Sequence, residues 1–249
     1  MNRSSSVIKV AVVAIVIFTG VTWAETPMRI GAKAGLNVAT LSGDGARLEE
    51  RSYPPETTTG GIGGIFLNIE LSPNLSLQTE LNYSQKGADW ETTSNDDFGT
   101  LTLKMDADVD YLELAFLATY SVPTGGKLNP FVLAGPTIAF KVSSGATAEL
   151  TRDSAGVVVP TPPPSKWGNI ENAKSTSFEM VLGAGAAVNI GANRLSLEGR
   201  YSFSLVQPFD DGYKPDELIG DDYVLVNDYL ESPSRHSVFS ILVGFSLPL

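Results

Sequence analysis

From residue 28 onward apolar side chains recur at every second position, the period of strands rather than of helices. The clearest run is 75–86, where Leu75, Leu77, Thr79, Leu81 and Tyr83 alternate with Ser76, Gln78, Glu80, Asn82, Ser84 and Lys86. Seven further stretches read the same way. The first sets Ile30, Ala32, Ala34, Leu36 and Val38 against Arg29, Gly31, Lys33, Gly35 and Asn37, and the second sets Ile65, Leu67, Ile69 and Leu71 against Gly64, Asn68 and Glu70. The fourth sets Leu112, Leu114, Phe116, Ala118 and Tyr120 against Tyr111, Glu113, Ala115, Leu117 and Thr119. The fifth is less regular: Val132, Ala134, Ile138, Phe140 and Val142 oppose Phe131, Leu133, Gly135, Thr137, Ala139 and Lys141. Pro136 in its middle predicts a bulge or a break in the ladder, because proline has no N–H to donate. The sixth sets Phe178, Met180, Leu182, Ala184, Ala186, Val188 and Ile190 against Glu179, Val181, Gly183, Gly185, Ala187 and Asn189. The seventh sets Leu195, Leu197, Tyr201, Phe203 and Leu205 against Ser196, Glu198, Arg200, Ser202 and Ser204. The last sets Phe239, Ile241, Val243, Phe245, Leu247 and Leu249 against His236, Val238, Ser240, Leu242, Gly244 and Ser246.

The connections alternate as well. Short turns are expected at Ser72-Pro73-Asn74, around Pro123 to Lys127 and at Gly191-Ala192-Asn193, while residues 43–58, 88–106, 144–174 and 207–234 are expected to be long polar loops. An even number of strands, with short turns at one end and long loops at the other, predicts an all-β fold: an eight-stranded antiparallel up-and-down barrel crossing a membrane, with the long loops outside the cell.

A water-soluble barrel of lipocalin type alternates too, so the orientation of the two faces has to be argued. The polar face carries Gly31, Gly35, Gly64, Gly135, Gly183, Gly185 and Gly244, which gain nothing on a surface strand but make room inside a narrow cylinder. The same face carries Arg29, Lys33, Lys86, Lys141 and Arg200 against Glu70, Glu80, Glu113, Glu179 and Glu198. Equal numbers of opposite charges predict a paired network in a closed lumen. The apolar face has no charge on any of the eight segments, as hydrocarbon demands. Tyr83, Phe140, Phe178, Phe203 and Phe239 lie near the loop ends of their segments and predict an aromatic girdle.

Charged residues make up only 18% of the chain, fewer than a soluble domain usually carries, and a lipid-facing exterior accounts for the deficit. At the N-terminus Arg3 and Lys9 precede the apolar run Val10 to Val21, and Thr22 and Ala24 are small. This reads as a secretory signal peptide over 1–24, cleaved after Ala24, with the barrel over 25–249. Cleavage removes two of the 17 basic residues and none of the 28 acidic ones, taking the formal charge from −11 to −13. A net negative chain is not expected to bind nucleic acid. Absence of cysteine and a single histidine exclude thiol chemistry and a histidine-rich metal site.

Catalysis is not expected. A rim-located, lipid-modifying triad would need a serine on the face of His236 two residues on, but that position is Val238, and Ser237 points the other way. Ser234 and Ser240 are geometrically possible partners. The last loop carries Asp210, Asp211, Asp216, Glu217, Asp221, Asp222, Asp228 and Glu231 against Lys214 alone. Its spacing matches no calcium-binding loop, so an acidic, solvated extracellular loop is expected. Val157 to Ser165, with Pro160, Pro162, Pro163 and Pro164, reads as an extended spacer, and Trp90 and Trp167 fall in loops.

The segments Gly31 to Asn37, Leu77 to Gly87, Tyr111 to Leu114, Phe131 to Pro136 and Glu198 to Tyr201 resemble the outer-membrane β-barrel domain family, which includes PorT-like proteins and small OmpX-like barrels. The resemblance covers residues 28–249 and implies a small barrel in the outer membrane of a Gram-negative bacterium, with no catalytic residues and no cofactor. Such barrels commonly end in an aromatic residue read by the assembly machinery, whereas this chain ends Phe245-Ser246-Leu247-Pro248-Leu249. The expected function is non-enzymatic: display of extracellular loops for adhesion, surface interaction or envelope integrity, by a monomer surrounded by outer-membrane lipid and lipopolysaccharide. A narrow porin-like channel is the alternative, and is disfavoured because eight strands leave an interior filled by side chains.

Overall fold

The computed structural model describes residues 26–42, 57–96, 99–154, 157–160, 165–168, 175–205 and 235–249. The signal peptide expected over 1–24 and the acidic residues Asp210 to Glu231 lie outside them. Strands β1 (Met28–Ser42), β2 (Thr58–Glu70), β3 (Leu75–Asp96), β4 (Gly99–Ser121), β5 (Leu128–Ser154), β8 (Thr176–Ile190), β9 (Asn193–Ser204) and β10 (Arg235–Pro248) pair in the order β4-β3-β2-β1-β10-β9-β8-β5. β4 also pairs with β5, so the sheet closes on itself and has no edge at the level of the barrel wall. Every pairing is antiparallel, and β1 meets β10 from Arg29↔Pro248 to Ser42↔Arg235.

Which face looks inward follows directly from burial. Lys33, Glu80, Glu179, Glu198 and Arg200 are buried, while Leu36 is 62% exposed, Leu197 56% and Ile241 53%. A soluble protein does not leave a continuous apolar belt uncovered, and lipid is the medium that covers it. Gly31 and Gly185 face inward because a side chain there would strike the rings of Phe66 and Phe131, which fill the lumen. At the short-turn end, Gly125 and Gly191 adopt φ of 67° and 63°, the left-handed conformation that tight turns require.

Pro136 interrupts one ladder only. β4 pairs with β5 at Ala115↔Thr137 and again at Ala118↔Ala134, skipping the stretch opposite Gly135 and Pro136, whereas the β5–β8 ladder runs unbroken through Pro136↔Met180. Higher in the same pair a register shift between Asp110 and Tyr111 leaves Val142 as an extra residue in β5. Such a bulge bends and twists the strand locally.

Two of the expected long loops are corrected by the structure. Residues 88–106 are largely strand: β3 and β4 remain in register from Leu75↔Tyr120 to Asp96↔Gly99. Within 144–174, β5 continues to Ser154, and β6 (Val157–Pro160) and β7 (Ser165–Gly168) pair back onto it, so Val157–Pro160 is a short strand rather than a free spacer. The reason is a reversal of phase. Below Asp110 the apolar residues Leu112, Leu114 and Phe116 take the outward face, but above it Val109 is buried on the inward face, while Lys104, Asp106 and Asp108 are exposed on the outward one. Outside the membrane the medium around the sheet is water, so the polar side turns outward and the alternation continues inverted.

Candidate functional site

The interior is organised around Glu80 at mid-height of β3. Its Oε1 accepts from Lys33 Nζ at 2.8 Å and Arg200 Nη2 at 2.6 Å, and its Oε2 accepts from Arg200 Nη1 at 2.7 Å, a two-pronged guanidinium–carboxylate pair. Gln78 Nε2 and Asn82 Nδ2, two residues to either side on the same face, also donate to it at 2.6 and 2.9 Å. Glu198 joins both cations, at 2.8 Å from Lys33 and 2.8 Å from Arg200. Nearer the outer end Lys86 is held by Glu113 at 2.7 Å and Glu179 at 2.6 Å. Lys33 also lies 4.7 Å from the centre of the Phe66 ring and Lys86 5.3 Å from that of Tyr111. Strands from all sides of the barrel supply these groups, so the network ties opposite walls together across the lumen.

The pairing differs from an equal match of five and five. Seven of the ten predicted charges, Lys33, Glu80, Lys86, Glu113, Glu179, Glu198 and Arg200, are buried together, giving three cations against four carboxylates. Arg29 and Glu70 are only half-buried at the short-turn end, and Lys141 is half-buried near the bulge at the other. The physical reason is axial position: all ten share the inward parity, but parity says nothing of height along the barrel. What space is left is small. One cavity of about 20 Å³ touches Asn37, Glu113, Thr137 and Arg200, and another of about 40 Å³ lies at the short-turn mouth.

Above the lumen, β3, β4 and β5 continue as a three-stranded sheet. Asp89 stands opposite Asp106 across the β3–β4 ladder, with Asp108 and Asp110 further along the same face of β4. Burial pushes the Asp89 and Asp108 carboxyls above the ordinary 3.8, and neighbouring aspartates add to it: Asp106 on Asp89, and Asp89, Asp106 and Asp110 on Asp108. The β2–β3 ladder runs only as far as Ile62↔Ser84, although Thr58 of β2 still hydrogen-bonds Asp89; beyond Asp89 the far edge of β3 has no strand paired to it among the described residues.

The family model for the outer membrane protein beta-barrel domain matches residues 23–210. The chain belongs to that family. Its barrel is therefore an outer-membrane barrel, which puts the short turns on the periplasmic side and the acidic sheet outside the cell. No curated protein matches the sequence. Among solved structures, OprG of Pseudomonas aeruginosa is similar over 91% of this chain and 96% of its own, at 11% identity and a TM-score of 0.44. Ail, the attachment invasion locus protein of Yersinia pestis, is similar over 88% and 99% at 10% identity and a TM-score of 0.38. Neisserial surface protein A is similar over 86% and 95% at 12% identity and a TM-score of 0.36.

The girdle residues Tyr83, Phe178 and Phe239 are exposed on the lipid face of this family barrel, and Phe140 and Phe203 are partly so. Tyr83 and Phe140 flank Leu112 in one cross-strand row. His236 pairs by backbone with Leu41 at the outer end of β10. Several site residues went unselected in the sequence reading: Gln78 and Asn82, which complete the shell of Glu80; Arg194 at the periplasmic mouth; and the aspartates of the outer sheet. Inward parity beside Glu80 was the available signal for the first two, and the alternation of Leu101, Leu103, Met105, Ala107 and Val109 with polar residues was the signal for the last.

Proposed function

We propose that this protein is a non-enzymatic integral outer-membrane barrel, exported by a cleaved signal peptide, whose extracellular sheet is a docking surface for polypeptide partners. The observation that carries this reading is the continuation of β3, β4 and β5 beyond the girdle as an acidic sheet, with the β3 edge from beyond Asp89 to Asp96 unpaired among the described residues. Unpaired backbone N–H and C=O groups on such an edge accept an added strand, and the aspartates beside it favour a basic one. The buried ion pairs and the small size of the lumen cavities support a closed barrel rather than a porin-like channel. Membrane lipid and lipopolysaccharide surround the barrel as solvent in this reading, and the monomer suffices.

Two measurements test it. Purified barrel in planar bilayers is expected to give no sustained conductance, and a stable open level replaces this reading with the channel one. Hydrogen exchange of the barrel in nanodiscs, with and without a short extended lysine-rich peptide, is expected to slow the amides of 90–96 selectively. Unchanged exchange there removes the docking edge.

A further inference from the structure

We propose that the periplasmic mouth of the lumen binds a small oxyanion, of the phosphate or carboxylate class, between Arg29 and Arg194. This lies at the opposite end of the barrel from the docking sheet and is independent of it.

Charge sets this mouth apart from the rest of the interior. Each buried cation higher in the lumen has two carboxylates: Lys33 and Arg200 share Glu80 and Glu198, and Lys86 holds Glu113 and Glu179. Arg29 and Arg194 have none within 4.0 Å among the described residues. They are nonetheless neighbours: Ser246 of β10 is the cross-strand partner of Arg194, and it accepts a hydrogen bond from Arg29 Nε at 3.3 Å. Arg194 feels both the positive charge of Arg29 and the negative charge of Glu70.

Donors are in excess as well. The acceptors that Arg29 finds are neutral, namely Ser246 Oγ, the Ser246 carbonyl at 3.4 Å and the Ala192 carbonyl at 2.7 Å. Both arginines border the cavity of about 40 Å³ together with Ser76, Thr119, Ser196 and Ser246. Thr119 is only 6% exposed, and its Oγ1 has no hydrogen-bond partner. An orphaned buried hydroxyl costs free energy unless something accepts from it or donates to it. Two guanidinium groups beside the unpartnered Thr119 hydroxyl and the hydroxyls of Ser76 and Ser246 are the chemistry that recognises carboxylate and phosphate oxygens; Ser196 already donates to the Gly244 carbonyl. Glu198 and Lys33 form the inner wall, but Glu198 is already committed to Lys33 and Arg200, and the pairs above block passage. The pocket is thus a dead end that retains an anion rather than conducting it.

The test uses the full mature barrel in phosphate-free detergent, titrated with inorganic phosphate and followed by NMR of the arginine Nε–H signals, with sodium chloride at matched ionic strength as control. Saturable shifts at Arg29 and Arg194 are expected, with the apparent affinity falling about tenfold in Arg194→Gln and unchanged in Lys127→Gln, an exposed cation of the β4–β5 turn. Acetate competing for the same shifts places carboxylates among the ligands, and failure to compete confines the site to phosphate-type anions. An equal response to chloride, or shifts at Arg29 that saturate with undiminished affinity in Arg194→Gln, overturns the proposal. Thr119→Val provides a second variant that leaves both charges in place, and undiminished phosphate binding there also counts against the pocket.

Discussion

At the scale of single residues, Glu80 is the group on which the interior most depends. Four side chains from three strands donate to its two oxygens, and its own side chain is wholly buried. In Glu80→Gln the cations Lys33 and Arg200 keep only Glu198 between them. Removing one partner of a buried pair strands the other, so we expect a loss of about 3–5 kcal/mol, read as a lowered urea midpoint for the barrel folded in lipid. Glu113→Gln is expected to behave differently. The buried set holds one carboxylate more than it has cations, so neutralising Glu113 costs no more than about 1 kcal/mol, the scale of one hydrogen bond. Similar losses in the two variants would refute this division of roles. The sequence made the inward parity of both glutamates readable, but not their inequality, because parity is local while the number of cations within reach depends on how the sheet closes.

At the scale of elements, the strands change solvent along their length. Within the membrane the outward positions of β9 must stay apolar, and Leu197→Arg is expected to cost about 2–4 kcal/mol in the same unfolding measurement. Above it, acidification should tighten the outer sheet. Asp89 and Asp108 take up protons more readily in the folded state than in an unfolded chain, because burial and facing aspartates oppose their charge. The folded state therefore gains relative stability as pH falls through the raised values, and loses it again as pH rises back through them. Protection factors in 87–110, that is, exchange corrected for its intrinsic slowing in acid, should rise between pH 7 and about pH 4, and factors that are flat or lower at low pH would contradict this. The lower barrel was legible from alternation because hydrocarbon forces one simple rule on it. The outer sheet obeyed the same period with the phase inverted, and without the position of the membrane boundary at Asp110 that inversion read as polar loop.

At the scale of the whole molecule, closure joins residues far apart in the chain: Arg29 pairs with Pro248 and Ser42 with Arg235. Barrels of such long-range pairing fold slowly and then hold as one unit. Unboiled protein should accordingly migrate differently from boiled protein in electrophoresis. Truncation after Ser240, which removes the partners of Arg29 through Leu36 on β10, should abolish the shifted form. By itself the sequence determined the strand period, the number of spanning strands, the lipid-facing surface and the set of charges turned inward, because each follows from alternation along one strand. Only the closed structure decided which charges meet, that seven gather while Arg29, Glu70 and Lys141 stand at the ends, and that among the described residues two arginines have no carboxylate within 4.0 Å at the periplasmic mouth. Those outcomes depend on the height of each residue along the barrel and on its neighbours across the lumen, and both are set by the register between strands rather than by the order of residues within any one of them.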